Sequence, residues 1–82
     1  MLELIETVEP MTSEDYKERF RAEFWQTKIR CDKLHTVLIK HEAGTLDFTL
    51  SCPVHLLENQ YRHMAEYLHD LEVRAEIEKI TL

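Results

Sequence analysis

The sequence predicts an all-α protein in which two long antiparallel helices form a coiled-coil-like hairpin, preceded by a short N-terminal segment and assembled as an oligomer. Three observations carry this prediction. The 82 residues include one glycine and two prolines, too few for a turn-rich sheet, while Glu, Leu, Lys and Arg supply helix formers throughout. Phe20, Thr27, Leu34 and His41 recur at intervals of seven with Phe24, Cys31 and Leu38 interleaved. A second series repeats the design with Val54, Tyr61, Leu68 and Ala75, interleaved by Leu57, Met64 and Leu71, and this four-three spacing favours left-handed antiparallel packing. The single glycine, Gly44, stands between the two series.

Residues 1–11 carry Leu2, Leu4, Ile5 and Val8 among Glu3, Glu6 and Glu9, and Pro10 sets them apart as a short helix or an arm packed on a neighbour. Thr12 offers an N-cap oxygen with Asp15 as its acidic partner three residues on, so the first helix is predicted over 13–43. The connection, 44–52, is read as an ordered turn with Phe48 plugging the hairpin end. Ser51 caps the second helix, predicted over 53–80, with Pro53 in the first turn, where a missing amide is harmless.

The whole chain, 1–82, is read as a single domain. A chain this short buries only about 60% of its unfolded surface. Ala22, Trp25, Ile29, Val73, Ile77 and Ile80 fall outside the seam, and a two-helix hairpin cannot cover both faces. Self-association is therefore expected, although heptads specify burial and not symmetry.

Sixteen acidic and ten basic side chains give a formal net charge of −6, which disfavours generic duplex DNA as a partner. That net charge hides a positive rod: residues 17–40 hold seven Lys or Arg and three acids, and the rest holds three basic groups and thirteen acids. No apolar run reaches membrane length. Cys31 and Cys52 lack a CxxC spacing and have no signal-like segment before them, so reduced thiols and a cytoplasmic location are expected.

His35, His41, His55, His63 and His69 show no HExxH spacing, and His41 belongs to the seam. No nucleophile, base and pocket are specified together, and no glycine loop cradles phosphate. Neither an enzyme nor a bound cofactor or metal is predicted.

Binding chemistry is better supported. Lys17, Arg21 and Lys28 fall close together in helical projection, near Phe24 and Trp25. Arg21 is the strongest phosphate contact because its planar fork matches two oxygens, with Lys17 and Lys28 supplying less directional charge. Tyr16 or Trp25 offers a ring for stacking on a base. The competing reading is a solvated basic face balanced by acids such as Glu14 and Glu18. Arg62 and Arg74 on the second helix are secondary candidates.

The run from Tyr16 through Ile77, with RAEF leading into CDKLHTVL and with LLENQYRHMAEYLHDLEVR containing Gln60, Met64, Tyr67 and Arg74, resembles the small bacteriophage Acb2/Tad1 helical-hairpin family. The resemblance implies an oligomeric anti-defence protein that sequesters cyclic-nucleotide immune signals without catalysis, in the host cytoplasm if phage-encoded, and it turns Arg21 toward ligand phosphate. The N-terminal aromatic contributor of some relatives has no counterpart before Tyr16, so either Tyr16 substitutes or the pocket differs. The alternative is an acidic protein-interaction module that inhibits or adapts a host or phage protein, with mimicry of nucleic-acid charge as one mechanism.

Overall fold

The computed structural model describes residues 3–82; Met1 and Leu2, the first two residues of the expected arm, lie outside the described residues. A 3₁₀ turn, Leu4–Thr7, runs into a single helical turn, α1, Val8–Met11. Two long helices follow, α2 at Tyr16–Ala43 and α3 at Val54–Glu78. The molecule measures 43 × 24 × 17 Å, close to the length of α2, whose 28 residues span about 42 Å at a rise of about 1.5 Å each. The long helices run antiparallel: Tyr16 at the start of α2 meets Glu78 at the end of α3, and His35 stacks on Tyr61 nearer the connection.

Helix α2 starts three residues later than the Thr12 cap predicts, because Asp15 takes that role. Its carboxylate accepts a hydrogen bond from the Lys17 amide at 3.0 Å. The Thr12 hydroxyl instead donates back to the Glu9 carbonyl, and the Ser13 hydroxyl accepts from the Asp15 amide. The second start also differs. Pro53 itself is the capping position of α3, with no side-chain cap, and Ser51 lies upstream in the connection.

Both long helices stop through left-handed residues. Gly44 has φ +77°, its amide bonds the His41 carbonyl and the next amide, Thr45, bonds the Lys40 carbonyl at 2.9 Å, which satisfies two orphan carbonyls. A Cβ at Gly44 would meet nothing within 4 Å, so Gly44→Ala isolates the backbone cost of a positive φ. The expected loss is about 1 kcal/mol, read as a lowered urea midpoint with unchanged helicity. At the other end Lys79 adopts φ 58°, and the Ile80 amide closes onto Ala75 at 2.9 Å. That reversal turns Ile80 into the core instead of leaving it as surplus apolar surface.

The core is lopsided. Phe20, Phe24, Cys31, Leu68, Leu71, Ala75 and Ile80 form its buried cluster, with Trp25, Tyr61, Met64 and Leu82 packed against it. Toward the connection the same heptads are only half-buried at Leu34, Leu38, Val54 and Leu57. His41, expected in the seam, is exposed, and Phe48 is 56% exposed, so it does not plug the hairpin end. Two helices alone leave each seam residue open at its flanks, and only the opposite half receives further cover.

That cover comes from the N-terminal segment of the same chain. Thr7 is 1% exposed; its hydroxyl donates to the Leu4 carbonyl at 2.7 Å and accepts from Gln26 Nε2 at 3.1 Å. Gln26 Nε2 also lies 3.0 Å from the Met11 sulfur. Ala22 and Ile29 sit four residues before and three after Gln26, hence on its face of α2, and both are buried. The sequence expectation that they await a neighbouring subunit is thereby corrected: the chain covers this face itself.

The two thiols are free. Burial pushes the Cys31 thiol above its ordinary pKa, Asp32 adds to the rise and Lys28 opposes it, whereas Cys52 is half-buried in the connection. An aromatic disulfide reagent at neutral pH is therefore expected to modify Cys52 rapidly and Cys31 only on unfolding, seen as one fast equivalent and a second released by urea.

Candidate ligand-binding site

Lys17, Arg21, Trp25 and Lys28 occupy one strip of α2, since helical spacings of four and seven return to nearly the same side. Arg21 is half-buried and reaches the Thr81 carbonyl at 3.5 Å. It lines an open concavity with Glu9, Pro10 and Glu18, placing it between the N-terminal segment and the chain after α3. Trp25 is half-buried and packs edge-on against Phe24, 5.4 Å between centroids at 89°, so part of its ring belongs to the core. Lys28 pairs with Asp32 at 3.1 Å, and the exposed pair contributes little to stability. The acids balancing this strip are thus Glu9, Glu18 and Asp32, of which the sequence suggests only Glu18.

Tyr16 is not brought to that strip. One residue before Lys17, it is rotated by about 100° around the helix and turns toward α3. Its hydroxyl donates to Glu78 Oε1 at 2.9 Å and accepts from Arg74 Nη2 at 2.7 Å. Arg74 Nε donates to Glu78 Oε2 at 3.3 Å, closing a three-member ring of hydrogen bonds. Beneath it lies the Phe20 ring, its centroid 4.9 Å from the guanidinium carbon, and Tyr16 stands edge-on to the same ring at 6.1 Å. This cation–π contact holds the guanidinium against the Phe20 ring.

The electrostatics follow from these contacts. The hydrogen bond to Glu78 is the largest influence raising the Tyr16 pKa above its ordinary value; burial adds to it and Arg74 opposes it. For Arg74, burial pulls downward, but Tyr16 and Glu78 outweigh it and hold the guanidinium above its ordinary value. Arg74 remains 48% exposed, with donors left for an additional anion.

Sequence reasoning ranks Arg74 second because nothing in a linear pattern joins positions 58 residues apart. Its signal is the sharing of a heptad frame by Phe20 and Ala75: antiparallel pairing of those positions brings their neighbours Tyr16 and Arg74 together. Elsewhere, His35, seven residues beyond Lys28 and so on nearly the same side of α2, stacks on Tyr61 at 4.8 Å and 18° beside Arg62. Among the described residues, no group of three His, Cys, Asp or Glu side chains is placed to hold a metal ion. No helix among them is long and apolar enough to cross a membrane.

The chain is a small all-α protein, two long helices and a short N-terminal segment with charged and aromatic surfaces. The family model Sequestin matches residues 14–77, a span that contains all of α2 and all of α3 except Glu78. The chain belongs to the Sequestin family. This membership is consistent with the Acb2/Tad1-type resemblance and with noncatalytic cyclic-nucleotide sequestration by a phage anti-defence protein. No curated protein and no solved structure matches the chain.

Proposed function

We propose that this protein removes a cyclic-nucleotide immune signal from circulation by holding it, chemically intact, between copies of the hairpin. The family match across both long helices carries the reading. A cyclic dinucleotide presents two phosphodiesters and two bases, and the hairpin offers complementary groups on its two flanks. Arg74 and Tyr16 lie on one flank; Lys17, Arg21, Lys28 and Trp25 lie on the other. One flank of a copy facing the opposite flank of the next supplies two cationic phosphate contacts and aromatic surface for the bases.

Self-association has support in the apolar side chains that the chain leaves uncovered, among them Ile5 and Val8 on the N-terminal segment and Val73 and Ile77 on α3. Binding at such a junction surrounds the phosphates with donors and buries the ligand between copies, as sequestration requires.

Native mass spectrometry before and after adding a panel of cyclic di- and trinucleotides tests assembly and binding together. The expected result is discrete ligand-mass additions on a stable oligomer, with unchanged ligand recovered after denaturation. Progressive conversion of excess ligand overturns sequestration. Absence of additions, together with a copurifying protein at fixed stoichiometry, replaces it with the protein-interaction reading.

A further inference from the structure

One donor of Arg74, Nε, is already engaged by a carboxylate of the same chain. Glu78, one turn further along α3, accepts from Arg74 Nε at 3.3 Å and from the Tyr16 hydroxyl at 2.9 Å. A carboxylate and a phosphodiester each present two oxygens sharing a negative charge, and here one Glu78 oxygen takes Arg74 Nε while the other takes the Tyr16 hydroxyl. The Glu78 carboxylate therefore stands where a phosphodiester would be received by Arg74 and Tyr16 together.

We propose that Glu78 is an internal occupant of the phosphate seat formed by Arg74 and Tyr16, displaced by the ligand and so lowering the affinity of the site. This rests on the ligand-binding reading above. Three features make the exchange easy. The pair is exposed, 48% for the Arg74 side chain and 34% for that of Glu78, so nothing in the core has to open. Glu78 is the last residue of α3, and the chain reverses at Lys79, φ 58°, so no following helical turn holds its side chain in place. Arg74 is seated on Phe20 independently of Glu78, so its guanidinium stays presented when the carboxylate leaves.

The test compares wild type, Glu78→Gln and Glu76→Gln. Glu76 is exposed two residues away and gives the same change in net charge without touching the seat. Two probes are used on the full-length protein: cyclic di-AMP by isothermal titration calorimetry, and pyrophosphate followed through the Arg74 Nε–Hε NMR cross-peak. Glu78→Gln is expected to bind both probes roughly two- to fivefold more tightly, the range for loss of one exposed ion pair, with a smaller gain for Glu76→Gln. Equal pyrophosphate affinity in Glu78→Gln and Glu76→Gln, or no gain over wild type, overturns the occupant role, and any wild-type binding of cyclic di-AMP then leaves sequestration standing. A pyrophosphate gain confined to Glu78→Gln supports the occupant role even where cyclic di-AMP does not bind, and the sequestration reading fails only if the whole panel of cyclic di- and trinucleotides also fails to bind.

Discussion

Leu71→Ala is expected to destabilise the protein by about 2–5 kcal/mol, the range for truncating a buried leucine where the surroundings relax only partly. Leu71 is 1% exposed and belongs to the buried cluster that both long helices share. Domains of ordinary stability unfold at a cost of about 5–15 kcal/mol, so this substitution removes a large share of the total. Leu57 occupies the same heptad series but is only half-buried, and its truncation withdraws less surface from cover. Urea unfolding followed by circular dichroism should place the Leu71→Ala midpoint well below that of Leu57→Ala. Equal midpoints would mean that the connection half of the seam is as well packed as the other.

Arg74→Ala is expected to weaken cyclic-nucleotide binding about tenfold or more, as follows from losing a charge-assisted, two-pronged contact. Arg74→Lys should recover part of the loss, since it restores charge without the planar fork. Tyr16→Phe, which keeps the ring and deletes one hydroxyl, should cost less than either removal of the guanidinium or Arg21→Ala on the opposite flank. Calorimetric affinities, with far-ultraviolet circular dichroism as the folding control, separate these effects. Unchanged affinity in Arg74→Ala with helicity retained would remove the Tyr16 flank from the site and leave the strip of Lys17, Arg21, Trp25 and Lys28 as the sole candidate.

The two flanks differ in how far they can be read from residues alone. Lys17, Arg21 and Lys28 align through helical periodicity, which is a local property, so their alignment is legible in the spacing itself. Tyr16 falls within one residue of that row and looks like a member of it. Its direction depends on the antiparallel register, which places Arg74 and Glu78 within hydrogen-bonding reach. Ala22 and Ile29 show the same limitation from the other side. They look like an unpartnered stripe until Thr7 and Gln26, two polar residues that would ordinarily be placed at the surface, bond to each other and draw the N-terminal segment over it.

Helix starts are harder to read than helix stops. Thr12, Ser13 and Asp15 all carry oxygens able to cap a helix, and the one that does so is settled by small differences in backbone direction that leave Asp15 aimed at the Lys17 amide. Gly44 faces no such competition, because a glycine at positive φ after a long periodic run ends a helix with little strain.

The sequence by itself determined the helical class, the two long elements, the heptad seam and the stop at Gly44, all of which arise from interactions within a few residues of each other. Only the tertiary structure decided that the core is full at one end and thin at the other, that the N-terminal segment covers α2, and that Tyr16 joins Arg74 instead of the basic strip. The physical reason is range: helical periodicity repeats every few residues and is written locally, whereas burial and the direction of a polar side chain are settled by segments brought together from positions as far apart as Tyr16 and Glu78.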